Sequence, residues 1–270
     1  MTRRTCVFCG DELTRRSKRE HVLPEWFTKR WNAGEDGREF CFEINGDLVR
    51  RTDGKVHTHS TFPAIKLDVC GQGGRECNGR LNTRFEQPAR DPVRALFDRL
   101  EPIHGDQTVA MARWTVKTLI LWHHPKTEFT HIDHLHRKGW SPRNRWTVPH
   151  GAMLEMRDSG RIPKDVSVWL AVIDPEHGPV TLPSGWVLLE PGVRSGMVKL
   201  SLPNGWSLLL HVMYHPGRPA ENLVADAGLV TRLWPDPRLE LDLRVLPRLD
   251  LHSGAELPHR FLHTAEEPTK

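Results

Sequence analysis

The sequence predicts an α+β fold. Residues 1–100 form a cysteine-bearing module of short strands and helices, and residues 101–270 form helices followed by a mainly antiparallel sheet. Three observations predict it. Two cysteine pairs, Cys6/Cys9 and Cys70/Cys77, bracket the first part, as thiols that meet at one metal ion do. Val109, Met111, Ala112, Trp114, Leu119, Ile120 and Trp122 then trace a helix that is apolar on most sides. Past Pro125, short apolar runs separated by Pro and Gly set in, which is the spacing of strands joined by hairpins.

The elements follow in order. Residues 5–9 make a tight turn on which two thiolates converge, and residues 14–22 extend as a strand. Pro24 opens a helix running to about Trp31, because its missing N–H costs nothing in a first turn. A strand over 38–44 meets the Asn45-Gly46 turn and returns over 48–51, and residues 56–69 are extended up to Cys70. Cys41 falls inside the first of these strands as a half-buried side chain. Helices are expected over 78–87 and 93–100, split by Pro88 and Pro92, and over 107–123. His123, His124, His131, His134 and His136 then fall in a polar loop. Strands are expected at 166–173, 185–189, 197–202, 206–213 and 239–245, with the tryptophans serving as core.

The composition, 38% hydrophobic and 27% charged, is that of a globular chain rather than a disordered one. No run of about 18 apolar residues exists, so no membrane helix is expected. Neither is a secretory signal, since the basic start lacks an apolar core. Five cysteines, four of them in two clusters, suit metal ligation in a reducing compartment, with the cytoplasm as the expected location. The net charge is +4, and residues 1–30 alone, with eight Lys or Arg against four Asp or Glu, account for it. That local excess suits a phosphate-bearing partner.

Cys6-x-x-Cys9 has the short spacing of a tetrahedral zinc knuckle. The second pair is six residues apart, and the GQGGRE insertion lets the chain fold back through its glycines so that Cys70 and Cys77 still converge. The other reading of these four residues is unligated buried thiols. Between the pairs lies Glu20-His21. A histidine near its reference pKa of about 6.5 can take a proton from water at neutral pH, and a neighbouring carboxylate can hold a hard divalent cation. On a regular strand the two side chains point to opposite faces, so both reach one site only where the strand ends or bulges.

Taken together, CVFCG, EHVLPEWF and a cysteine pair ending in CN and followed by LNTRFE resemble the HNH endonuclease family. The resemblance spans residues 5–87. It implies a ββα-metal finger, a strand hairpin over a helix, stapled by a structural zinc on Cys6, Cys9, Cys70 and Cys77. His21 would be the general base, and Glu20 and Asn78 the ligands of a catalytic Mg²⁺ or Mn²⁺. Glu86 would support that metal or orient His21. The activity implied is phosphodiester hydrolysis, with double-stranded DNA as partner. Arg15, Arg16, Lys18 and Arg19, directly before the pair, would grip the backbone, and Arg80 would reach a phosphate. The sequence departs from the family in the longer second knuckle, in Arg80 where a small residue is usual, and in the strand before Cys70. No Asn stands in residues 60–69 to orient the base, although His57 or His59 is close by in sequence. A zinc-stabilised nucleic-acid-binding protein without catalysis therefore stays open, as does a protein-interaction module.

Overall fold

In the computed structural model the described residues are 4–13, 20–32, 40–44, 47–48, 50, 53–55, 58–59, 65–71, 76–129, 147–173, 180–184, 186–190, 192–201, 207–217, 230–235, 240–246 and 248–249. The architecture is mixed helix and sheet, as an α+β chain requires.

The N-terminal part opens with a tight hairpin bridged at Thr5 and Glu12. Strand β1 (Glu20–His21) leads through Pro24 into helix α1 (Glu25–Asn32). The next strands are β2 (Phe40–Ile44), β3 (Asp47–Leu48), β4 (Thr58–His59) and β5 (Ile65–Leu67). β5 pairs antiparallel with β1, placing Glu20 opposite Leu67 and His21 opposite Lys66. Insertion of α1 and the β2 sheet between β1 and β5 thus leaves a short hairpin-like pair. The helical run that follows begins at Cys77.

That run is continuous over residues 77–99, against the expected break at Pro88 and Pro92. It consists of α2 (Cys77–Leu81), a π turn (Asn82–Glu86), α3 (Gln87–Arg94) and a second π turn (Ala95–Arg99). The first π turn bears on the continuity at Pro88, while Pro92 sits inside α3. Just before Pro88 the Gln87 N–H donates to Asn82 O, five residues back, so the helix widens where a proline ring would otherwise meet the preceding turn. Leu100, with φ 53°, ends the run.

Strand β6 (Ile103–His104) precedes α4 (Asp106–Trp122), which is buried along most of its length. Its first contacts are aromatic. Trp114 meets Phe27 of α1 at 5.4 Å between ring centroids and Phe97 at 6.2 Å. Trp114→Ala is expected to cost about 3–5 kcal/mol in a urea melt, since a fully buried indole leaves a cavity that three elements cannot close. His123 and His124, expected in a polar loop, are instead buried at the end of α4, where His123 Nε2 sits 3.2 Å from Met197 O. A carbonyl partner lets an imidazole leave water at small cost. His131, His134 and His136 lie outside the described residues.

Strand β7 (Glu128–Phe129) joins β5, and α5 (His150–Ser159) ends at Gly160, whose φ of +69° suits a residue without Cβ. The remaining strands are β8 (Val166–Ile173), β9 (Val180–Ser184), β10 (Trp186–Glu190), β11 (Val193–Ser201), β12 (Ser207–Tyr214), β13 (Thr231–Trp234), β14 (Glu240–Leu241) and β15 (Arg248–Leu249). The large sheet runs β10-β11-β12-β8-β13, with β15 parallel to β8. Alternation along β8 sends Val166, Val168, Leu170 and Val172 into the main core, and Trp169, Ala171 and Ile173 into a smaller cluster on the other face. Of the run expected as a strand over 239–245, only β14 pairs, with β6.

One core cluster of described residues takes in side chains from Cys6 to Leu246. Elements from both sides of residue 100 share sheets: β7 extends the β1-β5 pair, and β9 runs parallel to β2. Among the described residues no helix is long and apolar enough to cross a membrane.

Candidate metal centre and a half-buried histidine

The N-terminal hairpin folds because its own backbone closes it. Cys6 N–H donates to Asp11 O at 2.9 Å and Gly10 N–H to Cys6 O at 2.9 Å, with Gly10 at φ +77°. This sets Cys6 and Cys9 on one side of the turn. Val7 N–H to Asp68 O (3.0 Å) and the forked Arg4–Asp68 ion pair then bind the hairpin to the strand that leads into Cys70. Glu76, in the left-handed region at φ 52°, turns the chain into α2, and Asn78 N–H closes on Cys70 O at 2.9 Å. Cys70 and Cys77 therefore meet in spite of their long spacing.

The four sulfurs of Cys6, Cys9, Cys70 and Cys77 lie within 4.8 Å of one another, and Cys9 Sγ is 3.6 Å from Cys70 Sγ. All four are free thiols. They are a group that can hold one metal ion. Their protons are unequally held, as crowded thiols require. A hydrogen bond from Cys77 pulls the Cys6 thiol down to about 4, while burial pushes Cys9 up to about 11. Cys77 is raised, first by its bond to Cys6. A guanidinium stands behind them: Arg157 Nη1 of α5 donates to Cys77 Sγ at 3.4 Å, and its other nitrogens are held by Asp158.

Glu20 and His21 part company at the strand, as alternation demands. Glu20 turns inward and is 6% exposed. There it meets Lys117 of α4, a fully buried lysine whose Nζ donates to Glu20 Oε1 (3.4 Å), Val22 O (3.0 Å), His21 O (3.4 Å) and Glu86 Oε1. Burial raises the Glu20 carboxyl to about 7, with Glu86 adding to the rise and Lys117 opposing it. His21 faces outward and is half-buried, and Val22 N–H to Ile65 O (3.0 Å) fixes the strand end after it. The charged groups around the imidazole are Lys66 of β5, Glu25 of α1, Glu86 of the π turn and Lys117. Desolvation, then Lys66, holds its pKa below the usual 6.5, so the ring is neutral at pH 7.

The other expected residues divide. Asn78 is partly exposed on the first turn of α2, next to the cysteine cluster. Glu86 is buried on Lys117, and Arg80 is paired with Asp158 at 2.7 Å. Arg15, Arg16, Lys18, Arg19 and His57 lie outside the described residues, and His59 belongs to β4, a strand of another sheet. A divalent cation on Glu20 does not fit this arrangement, because the cation its carboxylate meets is an ammonium held by three further oxygens. Lys117 and Arg157 are the two residues that reading the sequence missed. Lys117 had a signal: it follows Trp114 by three residues and precedes Leu121 by four, a charge on an apolar stripe. Arg157 had none, since its partner lies 80 residues away. No family model, no curated protein and no solved structure matches the chain.

Proposed function

We propose that the chain is a zinc-containing, HNH-type endonuclease that hydrolyses phosphodiester bonds in double-stranded DNA, with His21 as the general base. One arrangement carries this reading: a half-exposed, neutral histidine at the end of an antiparallel strand pair, followed by a helix that starts at the last cysteine of a four-thiol cluster. Strand pair, knot and helix come in the order of a ββα-metal finger.

The donor set suits zinc. With Zn–S near 2.3 Å, tetrahedral sulfurs stand about 3.8 Å apart; the 3.6 Å Cys9–Cys70 separation matches, and the widest spacing needs to close by about 1 Å. Four thiolates leave no open position, so this zinc is structural and the chemistry falls to His21. The imidazole takes the proton of a water as its oxygen attacks phosphorus, the P–O3′ bond breaks, and the departing oxygen is protonated from solvent. With Glu20 turned inward, no step is assigned to Mg²⁺ or Mn²⁺. Arg15, Arg16, Lys18 and Arg19 adjoin the base in sequence and would supply salt-sensitive backbone contacts.

Supercoiled plasmid incubated with the zinc-loaded protein, with Mg²⁺, with Mn²⁺ or without added divalent ion, tests the reading. Nicking or cutting is expected, and His21→Ala should slow it by about 100-fold or more. Undiminished cleavage by that variant contradicts the assignment. A second reading, a zinc-stabilised nucleic-acid-binding protein without catalysis, is favoured by the Glu20–Lys117 contact. It would be supported by salt-dependent DNA binding without cleavage under any of these ions.

A further inference from the structure

Three carboxylate or carbonyl groups of the β1 end and one from the long helical run converge on a single buried nitrogen. Lys117 Nζ has three N–H donors for four acceptors: Glu20 Oε1, His21 O, Val22 O and Glu86 Oε1. The lysine side chain is wholly buried and both carboxylate side chains nearly so. The ion pairs join residues 97 and 31 positions apart in sequence, so this one group links α4, β1 and the π turn. Two of its acceptors are the carbonyls of His21 and of the residue after it. The direction in which the imidazole leaves the strand depends on those two peptide units.

We propose that the Lys117 ammonium is the resident cation of this site, and that Glu20 and Glu86 serve to hold it there. Lys117 is then a positioning residue: it clamps the strand end that presents His21. The ammonium occupies the place that a divalent ion would need in order to be held by Glu20. The clamping half of the proposal rests on His21 as the base; the cation half does not.

The test uses the full-length, zinc-loaded chain in two arms. The first measures Mn²⁺ binding by wild type and by Glu20→Gln. Affinities equal within about twofold are expected, whereas a loss of about tenfold or more makes Glu20 a ligand and overturns the proposal. The second uses Lys117→Met/Glu20→Gln/Glu86→Gln, which removes the clamp without leaving a buried charge and so keeps a foldable core. Zinc content and melting should stay close to wild type. Protection of the Val22 amide against hydrogen exchange should fall by about tenfold or more, and kcat should fall similarly with KM little changed. Lys117→Arg should recover part of both. Unchanged Val22 protection together with unchanged kcat reduces Lys117 to packing and overturns the clamp. If no protein in the series cleaves DNA, the nuclease reading fails on its own, while Mn²⁺ binding and amide exchange still decide the resident cation.

Discussion

Cys77→Ser is expected to abolish metal binding and to cost on the order of 5 kcal/mol or more of stability. The cysteine is fully buried, begins α2, and stands between Arg157 and the other three sulfurs. Losing it removes a ligand and leaves a guanidinium facing a weaker acceptor. Stoichiometric metal analysis with a thermal melt reads both consequences. Chelation of the wild type should reproduce the loss, and acid should assist it. In the metal-free chain Cys9 and Cys77 keep their protons at neutral pH, because both pKa values are raised. Binding must expel those protons, so affinity falls as pH falls through 8 to 6, by about tenfold to a hundredfold per pH unit. A Cys77→Ser protein that retains one metal and melts like wild type contradicts this.

Lys117→Met is expected to cost about 3–5 kcal/mol at pH 8, because it strands two buried carboxylates without their cation. The pH dependence carries the sign. In the folded wild type Glu20 holds its proton up to about 7, against 4.5 in its ordinary state. The folded chain thus binds more protons than the unfolded chain between those values, and this group's contribution to stability declines as pH rises through that window. Lys117 works in the opposite region: its pKa is raised, so its contribution is complete at neutral pH and is lost only in alkali, as pH passes its folded value. Removing the ammonium removes the one group that lowers the Glu20 pKa. Up to about pH 7 Glu20 is protonated in both folded proteins and costs both alike, so the variant should lie closest to wild type near pH 5 and fall away as pH rises through 7 to 8. Equal destabilisation at both pH values, measured by urea melts, would mean that only the methylene packing of Lys117 matters.

What could be read from the sequence and what could not divide along physical lines. Local pattern carried α1, α4 and the long strands of the C-terminal sheet, because hydrophobic period and turn residues specify them within a dozen positions. The same reasoning split the run over 77–99 at two prolines; its hydrogen bonding shows a π turn before Pro88 and leaves Pro92 inside a regular helix. The cysteine cluster was legible from residue type and order in spite of its odd spacing. The partner of Glu20 was not, since Lys117 arrives from 97 residues away and a buried lysine reads locally as one polar residue in an amphipathic helix. The outward and inward division of His21 and Glu20 was implied by strand alternation, but which one faced the core depended on that distant lysine. β7 and β9, which complete N-terminal sheets, depend likewise on long-range pairing.

The central claim is that four cysteines from two distant turns make one metal centre that ties the strand pair to the helix. X-ray absorption at the metal edge of the purified chain tests it most directly. One zinc per chain with four sulfur neighbours at about 2.3 Å is the predicted result. A metal with nitrogen or oxygen neighbours in place of sulfur, or no stoichiometric metal in a folded protein, would contradict it.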